Sequence, residues 1–129
     1  MKRGLFVLLL AGAAMMVAVP VMAHHSFAAT YFEDKTQTVE GDMIQFVFRN
    51  PHSYVHLEAP DDNGQMQRWA VEWGSGMQLS TQGLSVTALK AGDHVIVTGA
   101  PGRNPDDRRM RIRSITRPKD GLKWNGTFQ

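Results

Sequence analysis

The chain has 129 residues, with 14 Lys and Arg against 12 Asp and Glu, and no cysteine. Without cysteine there are no disulfides, thiolate nucleophiles, zinc–thiolate sites or iron–sulfur clusters, so a metal would have to be held by His, carboxylate, Met or backbone groups. The pI of about 9.2 rests on two cations at the very start of the chain, and the remainder carries no basic excess that would point to nucleic acid.

Those two cations, Lys2 and Arg3, open a three-part pattern. An uncharged apolar run follows from Leu5 to Val19, Pro20 breaks it, and Val21-Met22-Ala23 places a small residue before a cut. This is the organisation of a bacterial secretory signal peptide, residues 1–23. The alternative is a membrane anchor, for which the uncharged run from Gly4 to Val21 lies near the lower length limit. The cleavage motif and the switch to polar sequence favour removal, which implies a periplasmic protein with no stable membrane insertion. No lipobox cysteine is present. The mature chain keeps 12 basic and 12 acidic side chains, because both signal cations leave with the peptide.

Residues 24–35 read as an irregular arm with scattered aromatics, Phe27, Tyr31 and Phe32. A barrel domain is expected over 36–118. Thr36 to Phe48 is rich in β-branched and aromatic residues and predicts a strand. Arg49-Asn50-Pro51 ends it, since proline donates no ladder hydrogen bond and restricts the residue before it. His52 to Ala59 and Met66 to Trp73 predict two more strands around Pro60-Asp61-Asp62-Asn63-Gly64, where Asn63-Gly64 is a strong hairpin signal. Met77 to Gln82 is helix-permissive, with Gly83 as its stop. His94 to Thr98 and Arg109 to Thr116 complete five strands, and residues 119–129 form a tail carrying Trp124 and Phe128. Three strands, a short helix and two strands is the order of an all-β, five-stranded OB-like Greek-key barrel; an open antiparallel sandwich is the competing arrangement.

Alternation along a strand places His52, Tyr54, His56 and Glu58 on one face and Ser53, Val55, Leu57 and Ala59 on the other. Trp69, Val71 and Trp73 share a face of the next strand. An even-numbered turn would set these tryptophans beside His52, Tyr54 and His56 as one ligand-binding surface, whereas an odd-numbered turn would reverse the relation. The competing reading is that Trp69 and Trp73 fill the core and the histidines stand at its edge.

Cleavage after Ala23 would make His24 and His25 the first mature residues. A terminal amine beside an imidazole chelates Cu(II): the amine and Nδ1 of His24 close one ring, and an imidazole in trans completes a T-shaped brace. His52, beside the Pro51 corner, is the candidate third ligand, giving a metal set of His24, His25 and His52. His52 and His56 are four residues apart on a strand, roughly 13 Å, too far to share one ion. His94 reads as a surface strand residue. Four methionines remain after cleavage, Met43, Met66, Met77 and Met110, and read as core filler.

No nucleophile elbow, Cys/His pair, phosphate loop or HExxH motif is present, so no enzyme activity is expected. Glu72, between Ala70-Val71 and Trp73, reads as a satisfied structural acid.

His24-His25-Ser26-Phe27, Asn50-Pro51-His52, Trp69-Ala70-Val71-Glu72 with its following glycines, and Leu89-Lys90-Ala91-Gly92-Asp93 leading into Val95 to Gly99 together resemble an uncharacterised family of small exported bacterial proteins. The resemblance covers nearly all of the mature chain and includes His24, His25 and His52 in its pattern, while His56 and His94 are particular to this sequence. It implies export and a barrel-like fold, and transfers no catalytic residue. The expected function is a non-enzymatic periplasmic binding module for a small molecule or an envelope protein. The alternative is a periplasmic copper-binding protein. Mass spectrometry of the protein recovered from the periplasm is expected to show His24 as the first residue; any other start removes the amine of the brace.

Overall fold

The computed structural model describes residues 25–126, with side chains described from residue 27. Its elements are α1 (His25–Thr30), β1 (Gln37–Val47), β2 (Tyr54–Pro60), β3 (Met66–Glu72), α2 (Gly76–Thr81), β4 (His94–Pro101), a 3₁₀ turn at Pro105–Asp107, β5 (Arg109–Arg117) and β6 (Leu122–Asn125). The sheet runs β3-β2-β1-β4-β5-β6, and a parallel β3–β5 pairing from Ala70↔Arg109 to Glu72↔Arg111 closes its first five strands. That closure makes the fold an all-β, five-stranded OB-like barrel with a short helix between its third and fourth strands.

Side-chain alternation explains the interior. Val39 and Met43 of β1, Val55, Leu57 and Ala59 of β2, Trp69 and Val71 of β3, Val95 and Val97 of β4, and Met110, Ile112 and Ile115 of β5 form one buried cluster. The long strand β1 serves two neighbours, pairing with β4 through Gln37 to Asp42 and with β2 through Asp42 to Val47. The crossover sits at Gly41, where a Cβ would lie 2.0 Å from the Glu58 carbonyl oxygen. Gly99 plays the same part at the β4 register shift, where a Cβ would lie 2.2 Å from the Arg111 carbonyl. Neither close approach tolerates a side chain.

α2 begins with a capping box: Gln78 N donates to Ser75 Oγ (3.1 Å), and Ser75 N donates to Gln78 Oε1 (3.0 Å). Leu79 of this helix is fully buried in the core cluster. The Arg49–Ser53 corner is pinned to the end of β3 by Ser53 N donating to the Gly74 carbonyl and Trp73 N to the Ser53 carbonyl (2.9 and 2.8 Å). The Asn50–Pro51 peptide bond is cis.

The structure corrects two expectations and decides one left open. The arm is not irregular: α1 leads into Tyr31, which is fully buried and bridges Gly102. The tail, whose docking the sequence left open, joins the fold: β6 pairs with β5 from Ser114↔Asn125 to Arg117↔Leu122. β3 occupies the same edge of β5 only at its beginning, so β6 covers backbone that β3 leaves open. Trp124 packs edge-on to Trp73 at 5.0 Å and donates Nε1–H to Gln82 Oε1 at 2.6 Å. Finally, of the four methionines only Met43 and Met110 are core; Met66 and Met77 are 61 % and 69 % exposed.

Trp124→Ala is expected to lower stability by about 3–5 kcal/mol, the usual cost of deleting a buried tryptophan, measured by denaturant unfolding. A loss below about 1 kcal/mol would mean that the tail strand is not part of the cooperative fold.

Candidate functional site

Glu72 ends β3 with its side chain buried at 6 % exposure. Three segments far apart in sequence bring partners to it. From the arm, the Tyr31 hydroxyl donates a short hydrogen bond to Oε2. From the corner, His52 Nδ1 lies 2.5 Å from Oε1. From β5, Arg109 Nη2 lies 3.7 Å from Oε2, and its guanidinium also stands over the Tyr31 ring at 5.5 Å. A carboxylate oxygen can only accept, so His52 Nδ1 is the donor in its contact. The other ring nitrogen, Nε2, then has no protein partner among the described residues. Burial, and after it the Glu72 carboxylate, raises the Tyr31 phenol above its ordinary pKa, so this hydroxyl stays a donor.

Glu72 and His52 of this cluster line a cleft of about 540 Å³, together with Phe27, Asn50, Pro51, Trp73 to Ser75, Met77, Gln78 and Arg111. Phe27 tilts against His52 with ring centroids 5.5 Å apart, and the Arg111 guanidinium caps the other ring contact of Phe27 at 3.8 Å. Asn50 Oδ1 accepts from Met77 N at 3.2 Å, which ties the corner to the first turn of α2.

The arm reaches this position because an arginine series clasps it. Arg113 donates to the carbonyls of Glu33 (2.5 Å) and Lys35 (2.9 Å) and to Thr36 Oγ1 (2.6 Å). Arg103 Nε donates to the Ala28 carbonyl at 2.6 Å and its guanidinium covers Phe32 at 4.6 Å. Arg111 adds an ion pair with Glu33 at 3.6 Å.

The ligand face expected from the sequence is divided by the fold. The loop from Asp61 to Gln65 has five residues between the paired Pro60 and Met66, an odd number. Trp69 therefore pairs with Leu57, and Val71 with Val55, in the core, while Tyr54 faces Glu72 and His56 faces Ala70 on the other side. Trp69 and Trp73 are buried, and their Nε1 atoms have no hydrogen-bond partner among the described residues. Tyr54 and His56 stack on each other at 6.1 Å, away from the cleft lining. Of the five residues expected on one surface, His52 and Trp73 reach the cleft. The missed members are Phe27, Tyr31, Arg109 and Arg111; the alternating arginines of β5 were the one visible signal.

Among the proposed metal residues, His24 lies outside the described residues, as does the side chain of His25. Within the described residues no three His, Asp or Glu side chains gather as a metal site, so His52 is the single positioned donor of that set. His94 is a surface residue, but not a free one: Nε2 meets Glu40 at 2.9 Å and Nδ1 meets Asp42 at 2.7 Å, and these hydrogen bonds hold it above its ordinary pKa of 6.5.

A family of unknown function (DUF6152) matches residues 13–111. No curated protein matches the chain. Among solved structures, the chain is similar to the mitochondrial single-stranded DNA-binding protein Rim1 of S. cerevisiae, with 16 % identity and a TM-score of 0.47 over 71 % of this chain and 96 % of that one. That likeness carries nothing about ligand or partner.

Tyr31→Phe is expected to cost about 1.5–3 kcal/mol, the range for a hydrogen bond to a charged group, in denaturant unfolding at neutral pH. It should also loosen the arm, read as faster amide exchange over residues 28–35. Unchanged exchange there would show that the arginines hold the arm unaided.

Proposed function

We propose, starting from the fact that this chain belongs to the DUF6152 family of unknown function, that it is an exported, non-enzymatic binding module of the bacterial periplasm whose ligand occupies the cleft beside Glu72. The observation that carries this reading is the held imidazole. Glu72 fixes His52 through Nδ1 at 2.5 Å and leaves Nε2 to meet a ligand. The surrounding cleft, about 540 Å³, falls in the size range of small-molecule sites, about 300–1,000 Å³. It combines the aromatic side chains of Phe27 and Trp73 with polar ones from Asn50, His52, Glu72 and Arg111.

Binding is favoured over nucleophilic chemistry because the cleft's hydroxyl is already engaged. Ser75 Oγ caps α2 and also contacts Gln78 Oε1 at 3.2 Å. The His52–Glu72 pair therefore lacks an adjacent nucleophile to activate. Export rests on the signal-like first 23 residues. Among the described residues, no helix is long and apolar enough to cross a membrane.

A second reading, a periplasmic copper-binding protein, is favoured by the same contact. Histidines that bind metals characteristically give their other ring N–H to a carboxylate. Phe27, three residues after His24 in the sequence, packs on His52.

Protein recovered from the periplasm is expected to carry a bound species in native mass spectrometry. Met77→Trp, which crowds the cleft, and His52→Ala should both lose it, while Met66→Ala should keep it. A species retained equally by all three variants would place binding elsewhere and end the cleft reading.

A further inference from the structure

Two soft or borderline donors that sequence reading kept apart meet at one cleft. His52 offers Nε2, and Met77 offers a thioether. Met77 is 69 % exposed although it lies in the first turn of α2, and it lines the same cleft as His52. Large apolar side chains gain by burial, roughly 1.5–3 kcal/mol for methionine. Leaving Met77 in solvent forgoes that gain. The other strongly exposed methionine, Met66, lies at the outer end of the β2–β3 hairpin and lines no part of the cleft.

The two donors are also tied together. Asn50 Oδ1 accepts from the backbone N–H of Met77 at 3.2 Å, and Asn50 is two residues before His52 in the pinned corner. Arg49 Nε donates to the His52 carbonyl at 3.3 Å, and Ser53 Oγ donates to the Arg49 carbonyl at 3.1 Å. His52 is thus fixed at both its backbone and its Nδ1. Met77 is fixed at its backbone only, and its three side-chain torsions remain free to bring sulfur to a metal.

We propose that Met77 Sδ and His52 Nε2 together make the cleft a binding site for monovalent copper. The inference rests on the reading that this cleft is where the protein binds. Imidazole nitrogen is a general donor for first-row metals, while a thioether selects soft Cu(I) over harder divalent ions. A His/Met pair accordingly favours the reduced metal, which accepts two or three ligands without a prepared octahedral shell. Glu72 is a positioning residue in this site: it orients the ring and keeps the proton on Nδ1. Phe27 and Trp73 supply the apolar part of a lining that also carries Asn50, Glu72, Gln78 and Arg111, so the choice of metal rests on the thioether.

The test is anaerobic competition for Cu(I) against a bathocuproine chelator, with protein as secreted by the expressing cell. Met77→Leu preserves volume and lies on the surface, so the fold should survive. It is expected to weaken Cu(I) binding at least about tenfold, the lower end of what loss of a supporting partner costs a metal site. Glu72→Gln should weaken it by about 10- to 100-fold, and Met66→Leu should leave it unchanged. X-ray absorption at the copper edge should show one sulfur scatterer in the wild type and none in Met77→Leu. Equal affinities for wild type and Met77→Leu, or a spectrum without sulfur, overturns the proposal. If a bound species still depends on His52 in that case, the cleft reading stands and only its ligand changes.

Discussion

The buried carboxylate of Glu72 is the point at which the molecule is held together. An ionised carboxylate removed from water costs several kcal/mol unless it is paired and hydrogen-bonded. Here the pairing comes from a tyrosine in the N-terminal arm, a histidine in the β1–β2 corner and an arginine in the strand that closes the barrel. None of the three segments could satisfy it alone. The requirement therefore fixes where the arm docks, how the corner turns and which way Arg109 faces, all at once.

Barrel closure and arm docking share one structural device. β5 must present its first residues to β3 in parallel register, with Ala70 opposite Arg109 and Glu72 opposite Arg111. Alternation then sends Met110 and Ile112 inward and leaves Arg109, Arg111 and Arg113 on the outer face. Each guanidinium presents several donors in a fixed fork, and the arm supplies carbonyls, aromatic faces and Glu33 to match. The signal for the arm's position is thus written in β5, about 80 residues away from the segment it holds.

The barrel was legible in the sequence because its information is local. Alternating β-branched residues marked β1 to β5, Asn63-Gly64 marked the hairpin, and Gly83 marked the end of α2, whose φ of +82° requires a residue without a side chain or close to it. The faces were less legible. Asn63-Gly64 identifies a turn without its length, and Asp61 enlarges it by accepting from Asn63 N and Gln65 N at 2.9 and 3.0 Å. One residue more or less exchanges every inward side chain for an outward one, so the tryptophans and histidines parted. β6 was missed because four residues carry too little periodicity, and only Trp124 reports its burial. The site was least legible of all. Glu72 could be suspected of burial from its neighbours, but Tyr31 lies 41 residues away, and no local pattern carries that pairing.

The same carboxylate bears on whether the corner serves folding or binding. Buried ionic groups contribute little net stability compared with apolar side chains of similar size. If Glu72 served only to anchor the arm, a methionine or leucine against Phe27 and Tyr31 would do so without desolvating a charge. What an apolar residue cannot do is hold an imidazole in one orientation with its proton on a chosen nitrogen. Two features agree with the binding role proposed above. His52 is committed at Nδ1 while its Nε2 is left unengaged within the described residues, and Met77, whose thioether gains nothing from exposure, lines the same cleft. Under the proposed binding role, the arrangement keeps Nε2 available in a fixed direction while the same carboxylate anchors the arm.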